Sequence, residues 1–192
     1  MKLGNSSEQW GGVSIAIHWL VALTIFGMFG LGLYMVELSY YDPWYKSAPW
    51  LHKSVGALLF VVMLARLAWR RVSGVPRELV SHKTWEVKLA HWVHGTLYLI
   101  IFLIIFSGYL IVTAKGSGLS VFGWFEIPSL ISDVEHLEDM AGDIHRWLAY
   151  FLMALVTLHA AGALKHHFID RDVTLTRMLG IGAKAAGRNE KS

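Results

Sequence analysis

Between Glu8 and Glu37 the chain carries no Asp, Glu, Lys or Arg for 28 residues. Two more such runs follow, 26 residues between Lys88 and Lys115 and 18 between Arg146 and Lys165. A helix needs about 20 mostly apolar residues to cross a hydrocarbon core of about 30 Å. Three runs of that order therefore predict spans near 14–36, 90–113 and 144–164. Lys53 and Arg66 leave only 12 uncharged residues between them, but both can extend toward opposite interfaces, which predicts a further span at 51–69. The first run is too long for a signal-peptide core and lacks a small-residue cleavage site, so it is read as a retained helix.

The fold class that follows is all-α, an integral membrane four-helix bundle in one domain over 1–192. The stretch 81–88 reads as a polar linker and 180–192 as a disordered tail. Composition agrees: 55% of residues are hydrophobic and 16% charged, where soluble domains run nearer a quarter charged. The absence of Cys excludes disulfides, thiolate zinc, iron–sulfur clusters, covalently attached haem and Cys nucleophiles. The net charge of +3 does not indicate nucleic acid, because the cations lie between apolar runs rather than on one solvated face.

Orientation follows from where those cations fall. The segment between the second and third spans carries Arg70, Arg71, Arg77, Lys83 and Lys88, and the tail carries Lys165, Arg171, Arg177, Lys184, Arg188 and Lys191. The other two loops hold Lys46 and Lys53, then Lys115. Lys and Arg accumulate in cytoplasmic loops, which places both termini in the cytoplasm. Trp44, Trp50, Trp69, Trp92, Trp124 and Trp147 fall near predicted span ends, as aromatic belts do.

Ionisable residues inside a membrane are costly and are functional candidates by default. His18, His91, His94 and His159 share the inner depth; His52 and His145 share the outer one. His145 and His159 are 14 residues apart, which is about 21 Å of helix rise and close to four whole turns, so both imidazoles point to roughly one face. Two inward histidines at that rise suit two stacked cofactors, each held between two helices. Paired neutral imidazoles are the ligands of a six-coordinate, electron-transferring haem. His145 has His52 as its depth-matched partner; His159 has His18 or His94, and periodicity does not choose between them. Zinc would gather its ligands around one point, which these two groups do not. Gly27, Gly30, Gly32, Gly56, Gly142 and Gly162 would let the backbones stand back from a flat macrocycle. Arg66 lies 14 residues after His52, on the same face at the inner depth, where it would pair with a haem propionate. His82 and His136 read as solvated loop residues.

The segment Ala16-Ile17-His18-Trp19-Leu20, the start of the second span at Leu51-His52-Lys53-Ser54-Val55-Gly56, and the His145/His159 pair resemble the bacterial cytochrome b561 family. So do the run Ala163-Leu164-Lys165-His166-His167-Phe168 and the segment 172–178. The first outer loop, Ser39-Tyr40-Tyr41-Asp42-Pro43-Trp44-Tyr45, resembles the YceJ-like branch. The resemblance implies a di-haem b-type cytochrome of the bacterial inner membrane, linked to ubiquinone. It implies His52 with His145 for the outer haem and His18 with His159 for the inner one. His91, His94 and His166 would then be free for quinone or propionate contacts, with His166 the preferred quinone-side residue.

Some members of the family oxidise superoxide and pass the electron to quinone. The third loop here carries Glu126, Asp133, Glu135, Glu138, Asp139 and Asp143, a local acidic excess that repels anions and equally suits a periplasmic redox partner. Besides the electron carrier, the residues admit a membrane-anchor subunit of a larger dehydrogenase or hydrogenase, and a haem-free His-lined metal or proton transporter. Lipid is an expected contact, and a homodimer is an expectation of the same kind, since membrane b-type cytochromes often dimerise.

Overall fold

The computed structural model describes residues 2–79 and 81–181. The chain is mostly helical: α1 (Gly12–Val36), α2 (Ser47–Ser73), α3 (Thr84–Thr113), a hairpin of β1 (Leu119–Val121) and β2 (Phe125–Ile127), α4 (Leu137–Phe168) and the short α5 (Thr174–Met178). The first four helices are long and apolar enough to cross a membrane, the fold class read from the uncharged runs. Each extends past its apolar stretch. Helix α2 begins at Ser47 and α4 at Leu137, several residues before the expected starts, because the added turns are amphipathic or polar and give no hydropathy signal. The tail segment 182–192 lies outside the described residues.

Two compact units share these helices: each takes a segment of α1, α2, α3 and α4, and the first also holds α5. One gathers the described residues within 1–20, 63–96 and 154–192; the other takes 21–62 and 97–153. The basic α2–α3 connection and the described residues that follow α4 fall in the first unit.

In the first unit the N-terminal segment is tied down by Asn5. Its amide donates to Ser73 Oγ at 2.9 Å and its side-chain Nδ2 to the Gly74 carbonyl at 2.7 Å. Its Oδ1 accepts from the Gly11 amide at 2.8 Å and the Ser14 hydroxyl at 2.7 Å, so it acts as a cap for the first turn of α1. Trp69 Nε1 donates to the same Ser14 oxygen at 3.0 Å, and Trp19 Nε1 donates to the Met178 carbonyl at 2.9 Å, fastening α5 onto α1.

The second unit holds most of the buried apolar side chains, including Val21, Ile25, Leu59, Ile100, Ile101 and Leu152. The hairpin closes it. Leu119 pairs with Ile127 and Val121 with Phe125, and Val121 is fully buried. Phe122 and Gly123 turn the chain at φ 51° and 74°, and the Phe122 amide donates to the buried Ser54 hydroxyl at 3.1 Å. Tyr109 anchors the segment after β2, donating to the Pro128 carbonyl at 2.7 Å and accepting from the Leu130 amide at 2.8 Å. In the sequence this loop stands out only for its acidity; three-residue strands carry too little pattern to be seen there. Part of its acidity is paired. Lys115 meets Glu138, whose hydrogen bond and charge raise the lysine's pKa, and Arg146 meets Asp143 at 2.8 Å.

Candidate functional site

In the second unit, α2 presents His52 and α4 presents His145, with ring centroids 6.1 Å apart. The His145 ring is oriented from behind. Its Nδ1 lies 3.0 Å from the Ile104 carbonyl oxygen and 3.1 Å from Ser107 Oγ, and that hydroxyl itself donates to the same carbonyl at 2.9 Å. A carbonyl only accepts, so Nδ1 carries the proton, and in the neutral ring Nε2 keeps its lone pair. His52 Nδ1 is buried without a hydrogen-bond partner.

Two glycines come close to these rings. A Cβ on Gly108 would stand 3.1 Å from His145 Cε1 and 3.3 Å from its Nδ1, and one on Gly32 would stand 3.4 Å from His52 Cε1. Gly32 is among the glycines singled out in the sequence; Gly108 is not, because its role is set by a residue on the facing helix. Of the remaining five, Gly56 would meet Met28, while Gly27, Gly30, Gly142 and Gly162 would meet nothing within 4 Å.

The first unit assembles three imidazoles rather than two. His18 and His159 have centroids 6.3 Å apart, and His94 and His159 5.0 Å apart. Arg66 joins this group: its Nη2 lies 3.0 Å from His18 Nδ1. A guanidinium only donates, so here Nδ1 is the acceptor and the proton of the neutral ring sits on Nε2. His91 is apart from the group, with Nδ1 3.0 Å from the Val87 carbonyl oxygen and Nε2 3.6 Å from Glu78.

His166, the expected quinone-side residue, lies in a separate polar cluster of the same unit. Its Nδ1 is 2.8 Å from Asp170 Oδ2 and 3.4 Å from Asp172 Oδ2. His82 joins it there, which corrects the reading of that residue as a solvated loop histidine. Its Nε2 is 2.9 Å from Asp172 Oδ2, with the side chain 17% exposed, and its ring lies 4.5 Å from that of His166. The partner stands 90 residues away in the chain, beyond the reach of local pattern. Burial pushes the Asp172 carboxyl up in pKa, but the Thr174 amide and hydroxyl, His82 and His166 together hold it below the ordinary carboxylate range. His136 is exposed beside Glu135, as a loop residue.

Residues 9–180 match the family model described as prokaryotic cytochrome b561. The chain is 49% identical over 187 residues to "Cytochrome b561 homolog 2" of Escherichia coli (strain K12), covering 97% of this chain and all of that protein. It is 30% identical over 173 residues to the "Probable superoxide oxidase CybB" of Yersinia pestis, covering 90% of this chain and 96% of the relative. The "Cytochrome b562" of Cereibacter sphaeroides is 28% identical over 172 residues, 87% of this chain and 92% of that protein.

Proposed function

The chain belongs to the prokaryotic cytochrome b561 family of bacterial multi-pass membrane cytochromes, and from that premise we propose that it is a di-haem carrier. It moves electrons across the cytoplasmic membrane, with both termini inside, between the quinone pool and a periplasmic donor or acceptor. One observation carries the reading: each unit contains a pair of imidazoles at nearly the same separation, 6.1 Å for His52/His145 and 6.3 Å for His18/His159. Two metal–nitrogen bonds of about 2 Å each, plus the half-rings behind them, require about 6 Å between ring centres. The 5.0 Å of His94/His159 falls short, which favours His18 as the ligand and leaves His94 beside it. The orphaned Nδ1 of His52 and the two glycines close to the rings also fit a group held between the helices.

A b-type haem bound at each pair supplies a one-electron redox centre, tuned by its axial ligands and their hydrogen bonds. The chain's own residues supply the rest. Ile104 and Ser107 hold His145 in the tautomer that presents Nε2. Arg66 places a cation at the inner group. His166, at the end of α4 between Asp170 and Asp172, is positioned to pass protons to a quinone being reduced.

Superoxide as the electron donor is the second reading. It is favoured by the relative named as a probable superoxide oxidase and by the pairing of part of the loop's acidic charge with Lys115 and Arg146.

The test is a reduced-minus-oxidised absorbance spectrum of the purified protein, with haem quantified per chain. Two low-spin b-type haems per chain are the expected result, and a protein without haem would overturn the reading. Reduction of those haems by a superoxide flux, faster than by the flux plus dismutase, would select the second reading of the donor.

A further inference from the structure

The polar cluster of the first unit is not used by the haem reading except through His166, and it contains two overlapping sets of metal-binding side chains. One is Glu86, His166 and Asp170; the other is His82, His166 and Asp172. They differ in whether a cation is already present. Lys165 Nζ lies 2.7 Å from Glu86 Oε1 and 2.7 Å from Asp170 Oδ2, so a cation of the chain itself already bridges both carboxylates of the first set. Among the described residues Asp172, the carboxylate of the second set, forms ion pairs with His82 and His166 and with no lysine or arginine. Its carboxylate is also the more enclosed, with the Asp172 side chain 8% exposed.

We propose that His82, His166 and Asp172 form a binding site for a late first-row divalent metal ion, of which zinc is the representative. One ligand atom from each of the three residues lies within 4.8 Å of the other two, and His82 Nε2 and His166 Nδ1 both face Asp172 Oδ2. Metal–ligand bonds of about 2.1 Å in a tetrahedron put neighbouring donors about 3.4 Å apart. The His166–Asp172 separation is 3.4 Å and the His82–Asp172 separation 2.9 Å, so modest side-chain rotation completes the triangle. The donor set, two imidazoles and one carboxylate, suits zinc with a water in the fourth position.

The carboxylate is oriented as ligating carboxylates usually are. Asp172 Oδ1 accepts from the Thr174 amide at 2.8 Å, which leaves Oδ2 facing the two rings. The turn that returns Asp172 to the end of α4 is built for this: Arg171 adopts φ 54°, and the Asp172 amide donates to the His166 carbonyl at 3.0 Å. His166 Nδ1 is buried and close to two carboxylates, yet makes no hydrogen bond, so no aligned partner is lost when a metal takes its lone pair. At His82 the metal replaces the proton that Nε2 shares with Asp172, and that proton leaves to solvent. The bound ion would cross-link the lead-in to α3, the end of α4 and the turn after it.

The experiment uses the haem-loaded, tag-free protein, stripped with chelator and titrated with zinc in competition with a chromophoric chelator. One tight site per chain is expected, together with a rise in thermal midpoint on adding zinc. In His82→Ala the affinity should fall more than about a hundredfold while the haem spectrum stays as it was, because loss of a ligand exceeds the 10- to 100-fold seen for outer-shell partners. Asp172→Asn should weaken binding as well and keeps the site testable if His82→Ala does not accumulate. Zinc binding unchanged in both variants, or no site tighter than loose surface binding, would overturn the proposal. Because the haem count is read on the same samples, failure of the metal site and failure of the haem reading give different results.

Discussion

The two groups of imidazoles that α4 joins are set up in opposite ways. In the second unit a pair stands alone, and the partners behind His145 are a neutral carbonyl and a hydroxyl. In the first unit three imidazoles gather, and the partner behind His18 is a guanidinium. The acceptor behind His145 leaves Nε2 ready to ligate. The donor behind His18 does the reverse, leaving the proton on Nε2. One site is preset by the backbone; the other must change a hydrogen bond before it can bind a metal through the same atom.

The largest test of this contrast separates the sites. His145→Ala should remove one haem per chain and His159→Ala the other, each halving the pyridine haemochrome yield while the remaining spectrum persists. A single substitution that empties both, or neither, would end the view that each unit holds its own centre.

A smaller effect is expected from a methyl group. Gly108→Ala places a Cβ 3.1 Å from the His145 ring, and helix propensity alone would favour alanine by about 1 kcal/mol. Overpacking of this kind costs about 1–3 kcal/mol, so the variant should lose thermal stability and shift the electron paramagnetic resonance g-values of one haem. Gly95, on α3 in the other unit, meets nothing within 4 Å; Gly95→Ala should be neutral or mildly stabilising. Equal effects at the two positions would show that the contact to His145 is not what matters at Gly108.

These tests also mark what could be read from the chain and what could not. Three of the spans were legible because uncharged runs of 18–28 residues have few other uses, and the second because Lys53 and Arg66 can extend to opposite interfaces. The His145/His159 register was legible because one helix carries both. What escaped were contacts between segments far apart in the chain. His82 appears solvated until Asp172 is placed beside it. Gly108 is an ordinary helix glycine until His145 faces it. The hairpin at 119–127 depends on Ser54, which lies 68 residues away from Phe122 and accepts its amide. The choice between His18 and His94 lay between the two cases: periodicity left both open at one depth, the family resemblance implied His18, and the separations from His159 are 6.3 Å and 5.0 Å.

The smallest predicted effect sharpens the contrast at its charged end. Ligation through His18 Nε2 requires the ring proton to move to Nδ1, and a protonated Nδ1 cannot accept from Arg66. The guanidinium then leaves His18 and becomes available to a carboxylate such as a haem propionate, the pairing expected from its place on α2. On the di-haem proposal Arg66 would serve in both conditions, holding the ring before a cofactor binds and neutralising an acid afterwards. A cation near a haem stabilises the reduced form, so Arg66→Leu should lower the midpoint potential of the first-unit haem. The shift is on the order of tens of millivolts for one charge at an effective dielectric near 20. The second-unit haem, whose histidine is held by neutral groups, should keep its potential. Potentiometric titration resolves the two. If Arg66→Leu leaves both potentials and both occupancies unchanged, the propionate pairing is wrong; if both potentials fall together, the charge is felt equally in the two units and their electrostatic contrast disappears.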